Sequence, residues 1–182
     1  MYGYIITKDI AAENVDAWNR SVINATTNFD AGSALILTAP TKAEDPWQAA
    51  APAGTNLKDV WIAYPPSEYL AQVNDNVYAG LSIDPRSFTN IAGRPFDAFK
   101  VMKHDIIGFT KDCFDTTLQE NTPTTSYFET KANQATWTVV STPTAHHTAF
   151  KIISNGTLPF PGGLNQVGMS QYQFVVGECV QD

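Results

Sequence analysis

Histidine and cysteine are scarce in this chain, at three and two residues, and the scarcity removes most ways of assembling a catalytic or metal-binding set. His146 and His147 are adjacent, and in a strand adjacent side chains point to opposite faces. No Cys, Asp or Glu lies within a few residues to complete a tetrahedral metal set, so the pair reads as an exposed loop between strands. His104, between Lys103 and Asp105, reads as a surface position. Cys113 and Cys179 read as two separate free thiols, and Asp112 and Asp115 beside Cys113 would raise its pKa and leave it a poor nucleophile. There is no Gly-x-Ser-x-Gly elbow, and the Gly54 and Pro161-Gly-Gly163 segments lack the lysine and spacing of a phosphate-binding loop. Glu44-Asp45 and Glu120 read as solvated loop charges, since carboxylate pairs for glycoside hydrolysis meet only in the fold. The expectation is a protein without catalytic residues, metal or cofactor.

Long apolar runs are missing too. Nothing approaches the roughly 18–20 residues of a membrane-spanning helix, so no membrane partner is expected. Positive charge is short: eleven Lys and Arg against eighteen Asp and Glu leave −7 at neutral pH, against the basic surface that non-specific nucleic-acid binding requires. The opening MYGYIITKDIAAEN has neither the basic start nor the apolar middle of a signal peptide. Folding in a reducing cytoplasm, where disulfides rarely persist, is the expectation, and the sequons at Asn19, Asn24 and Asn155 then read as chance matches.

What the chain does have is 43% apolar and 12% aromatic residues, with eleven Pro and eleven Gly spread along it. That is a globular composition with many turns. Short alternating or apolar segments recur at 34–38, 58–64, 69–73, 105–111, 126–131, 135–140, 148–154 and 171–180, bounded by Pro, Gly or Asn. They predict a mainly β protein, an antiparallel barrel or sandwich with long turn-rich connections and at most one or two short helices. Within residues 1–33, Val15, Trp18 and Val22 sit at helical spacing, while Trp18, Arg20, Val22 and Asn24 also fit an extended strand. This stretch is expected to be an N-terminal segment or arm, part helical or extended. Residues 34–182 are expected to form one β domain carrying a Pro/Ala-rich loop at 39–56, where three prolines argue against a central strand.

Two features suggest contact with a partner. Trp47 stands inside the Pro/Ala loop, either plugging the domain edge or serving as an interface anchor. The stretch from Asp84 to Lys111 gathers five cations (Arg86, Arg94, Lys100, Lys103 and Lys111) against three acids, which is +2 locally and leaves −9 elsewhere. Its phenylalanines, Phe88, Phe96 and Phe99, would pin a turn-rich platform to the core. Arg86, Arg94, Lys100 and Lys103 could then face an acidic partner, or be ordinary solvated cations.

The residues between 28 and 110 carry a resemblance. A turn Asn28-Phe29-Asp30-Ala31-Gly32-Ser33 precedes a strand, Glu44-Asp45-Pro46-Trp47 follows, and Trp61–Pro65 gives a strand ending in proline. Then come Arg86-Ser87-Phe88-Thr89-Asn90, Pro95-Phe96-Asp97-Ala98-Phe99 and Asp105-Ile106-Ile107. Together these resemble small decoration or cement proteins, the auxiliary head proteins of tailed bacteriophages. The resemblance implies a non-enzymatic virion structural protein on the capsid surface. Its partners would be the major capsid protein and further copies of itself, often as trimers. The alternative is another virion module, a head-fibre base, tail or tail-tip component binding a partner protein or a host glycan.

Overall fold

Short runs of β-branched and aromatic residues cut by proline, glycine and asparagine favour strands over helices, and the chain folds accordingly. The computed structural model describes residues 2–55, 57–66, 70–73, 76–79, 88–119, 122–159 and 171–181. Its strands are β1 (Ile5–Asp9), β2 (Asn19–Ile23), β3 (Ala34–Thr38), β4 (Trp47–Ala50), β5 (Trp61–Ala63), β6 (Leu70–Val73) and β7 (Asn76–Ala79), continuing with β8 (Phe96–Lys100), β9 (Ile106–Thr110), β10 (Tyr127–Thr130), β11 (Trp137–Val140), β12 (Ala149–Pro159) and β13 (Gln171–Gln181). The helical pieces among the described residues are 3-10 turns of three or four residues. The protein is therefore mainly β, as its sequence predicts.

Among the described residues two larger β bodies stand beside a two-stranded β6-β7 hairpin. Strands β2-β4-β3-β5-β8 close a five-stranded barrel, and β1-β9-β13-β12-β10-β11 form an open antiparallel sheet. An odd number of strands cannot alternate direction all the way round a closed ring, so one neighbouring pair must run parallel. That pair is β2 with β4, in register at Val22–Trp47; the other four barrel pairings are antiparallel. Alternation along each strand sends one row of side chains into the barrel and the next row out. Val22, Leu35, Ala49, Ala63, Phe96 and Ala98 fill the interior. Three of those six are alanines, which lets so few strands close around them.

The outward row of the barrel builds the main core. Ile62 and Phe99 pack with Ile107, Phe109, Phe128, Trp137, Phe150 and Val175 from the open sheet. Phe128 and Phe150 face each other in the β10–β12 ladder with rings stacked at 5.0 Å, and Trp137 meets Phe150 edge-on at 5.3 Å. The Trp137 indole N–H donates to the Gly32 carbonyl at 2.8 Å. Gly32 has φ +87°, and a Cβ there would fall 2.6 Å from Ile5 and 2.8 Å from the Cys113 sulfur. Only glycine fits that turn.

Two expectations change, that of an N-terminal arm and that of an unbroken loop at 39–56. The first 33 residues are no arm: β1 is an edge strand of the open sheet, β2 is a wall of the barrel, and Ile5, Ile10, Ala12, Val22, Phe29 and Ala31 are buried. The helical spacing of Val15 and Trp18 yields only 3-10 turns, because β-branched and Asn-rich flanks do not sustain a helix. Residues 39–56 are not all loop, since β4 runs from Trp47 to Ala50 between β2 and β3. Its neighbours Pro46 and Pro52 flank the strand, where their missing N–H groups break no ladder bond.

Candidate functional site

The strand directions bring one end of β2, β3, β4, β5 and β8 to the same mouth of the barrel. Arg20 lies two residues before buried Val22, Trp47 two before buried Ala49, Trp61 two before buried Ala63, and Lys100 two after buried Ala98. Each therefore shares the inward face of its strand, at the level where the interior opens. Trp61 and Lys100 are direct cross-strand partners, as are Arg20 and Ala98. Trp47 and Trp61 are half-buried against the barrel core.

Arg20 is held between the two indoles. Its guanidinium carbon lies 5.5 Å from the Trp47 ring centroid and 5.9 Å from that of Trp61, within the range where a ring quadrupole attracts a cation. One N–H donates to the Asn19 carbonyl at 2.9 Å. Beside it, the Lys100 ammonium lies 3.0 Å from the Asp59 carboxylate. Asp59 sits in a left-handed turn with φ +58°, a conformation that Asp tolerates. The mouth thus combines two indoles, two cations and one exposed acid.

The contact residues expected from the sequence do not form one patch. Trp47 and Lys100 belong to the mouth. Lys103 is exposed on the turn just past β8, at the same end. Arg94 is exposed on the turn before β8, at the opposite end of a strand about 16 Å long. Arg86 lies outside the described residues. Sequence reasoning missed Arg20 and Asp59 as members of the site. The signal for Arg20 was the alternation Trp18, Arg20, Val22, which puts the arginine on the face of a core valine.

The described thiol and histidine groups away from the mouth make local contacts. Burial, aided slightly by Asp30, pushes the Cys113 thiol up to about 12, against hydrogen bonds involving Thr110 and Tyr4 that favour the thiolate. The dominant cause is desolvation, not the neighbouring acids that the sequence points to. His147 lies 2.8 Å from the Thr130 carbonyl and 3.6 Å from Glu129, whose carboxylate also holds Thr144. Among the described residues no three His, Cys, Asp or Glu side chains converge on a metal position. The chain matches no protein-family model, no curated protein and no solved structure.

Proposed function

We propose that this protein is a non-enzymatic virion structural component that binds the outside of a bacteriophage capsid and stabilises or decorates it. The observation that carries the reading is the barrel mouth: indoles and cations collected at one end of a protein whose net charge is −7. A half-buried tryptophan beside an arginine is the kind of anchor that dominates protein interfaces. Lys103 on the adjoining turn extends the positive charge towards an acidic shell. The resemblance of residues 28–110 to capsid decoration proteins supplies the partner class, and closed symmetry would let several copies of one modest contact act together. A glycan-binding module is less well supported, because Arg20 stands over one face of each indole that a sugar ring would use.

The test uses capsid shells purified without this protein. Wild-type chain should bind them saturably, and the combined variant R20E/K100E/K103E should lose that saturation. Wild-type protein that fails to sediment with the shells rejects capsid binding. A variant that saturates them as well as wild type removes these three cations from the contact.

A further inference from the structure

We infer that the barrel mouth is a carboxylate receptor, in which Arg20 and Lys100 grip acidic side chains of an extended partner segment and Asp59 occupies the place of one such carboxylate until the segment arrives. The inference rests on the docking reading above and names the chemistry the partner must present.

Arg20 is the centre of the argument. Its guanidinium carbon lies over both Trp47 and Trp61, and two ring contacts favour one placement of the side chain, which lowers the entropy to be lost on binding. Of its five N–H donors, one reaches the Asn19 carbonyl, and the rest meet no acceptor among the described residues. A guanidinium whose remaining N–H groups meet no acceptor among the described residues can pair with a carboxylate through two parallel hydrogen bonds. The indoles shield the pair from water, which strengthens a charged contact there relative to one on open surface.

Lys100 already shows what the site accepts. Its ammonium is paired to Asp59, whose side chain is 78% exposed while that of Lys100 is 30% exposed. A solvated acid reaching back to a more buried cation forms a weak, replaceable pair. An incoming glutamate or aspartate can take the same position at little cost. Glu44 and Asp45, exposed on the turn leading into β4, would repel such a segment on that side. The approach is therefore from the β8 side, past Lys103.

The experiment titrates the full chain with capped hexaglutamate, capped hexaglutamine and inorganic phosphate at constant ionic strength, following tryptophan fluorescence. Hexaglutamate should give a saturable change, and the two control ligands none. Arg20→Lys keeps the charge but not the planar fork, and should weaken hexaglutamate about tenfold or more. Asp59→Asn should tighten it severalfold by freeing Lys100. Equal binding by Arg20→Lys, weaker binding by Asp59→Asn, or an equal response to phosphate would each overturn the assignment. If shells bind wild type while hexaglutamate does not, the receptor fails and the capsid reading stands. Hexaglutamate binding without shell binding gives the reverse.

Discussion

The two cores of this protein use the same aromatic residue in opposite ways. Trp137, in the open sheet, is fully buried among phenylalanines, and its one polar group is satisfied by a backbone carbonyl. Trp47 and Trp61, at the barrel mouth, are half-buried and hold a cation between them. The difference follows from what surrounds each body. The open sheet has one side of the barrel, at Ala34, Ile62 and Phe99, to pack against and becomes dry and tightly interlocked. The barrel has only its own narrow, alanine-lined interior, which cannot enclose large side chains near its end. The large rings placed there remain partly in water, where they can hold charge and meet partners.

That contrast can be broken first at the tryptophans. Trp137→Ala removes a fully buried ring and leaves the Gly32 carbonyl without its donor. It should cost about 3–5 kcal/mol, read as a fall in Tm of roughly 2–4 °C per kcal/mol for a chain of this size. Trp61→Ala should cost about 1–2 kcal/mol in the same melt, the loss of partial burial and one cation contact. Equal costs at the two sites would mean that the mouth is ordinary core. Ala98→Val adds two methyl groups to the buried barrel interior and should destabilise by about 1–3 kcal/mol. A neutral result in denaturant titration would show that the interior has room to spare.

A pH titration sharpens the dry side of the comparison. A thiol whose folded pKa lies above its unfolded value is held neutral by the fold. Its stabilising effect is complete below about 8.5, the unfolded value, and is lost as pH rises towards about 12. Over that window the unfolded chain binds fewer protons than the folded one, so stability falls with rising pH. Wild type should therefore lose more stability than Cys113→Ala between pH 8 and pH 11 in parallel urea titrations. Identical slopes would show that Cys113 is not sealed from water.

Much of the fold was legible in the sequence, because strands such as Ala34–Thr38 and Ile106–Thr110 announce themselves by apolar content between turn residues. Phe96–Lys100 was legible only as pinned phenylalanines. Its role as the strand that joins β2 and β5 depends on distant pairings, Phe99 with Ile62 and Phe96 with Val22, at separations of 37 and 74 residues.

 No local pattern reveals pairings of that range. The mouth was half legible for the same reason. Trp47 and Lys100 stood out by composition, whereas Arg20 and Asp59 belong to the site only because the barrel closes and brings distant strand ends together.

The odd strand count of the barrel also bears on how long the protein takes to form. Closing the ring needs β8, and the first strand of the open sheet waits for β9, since Ile5 pairs with Phe109. Neither body can be completed from the first 90 residues alone. Chains dominated by such distant pairings fold in roughly milliseconds to seconds, slower than helical bundles of similar stability. During synthesis β1, β2 and β5 must therefore keep an open edge until β8 and β9 emerge, while β3 and β4 can pair among the early strands. In that interval the exposed edges, not the finished surface, set the risk of aggregation.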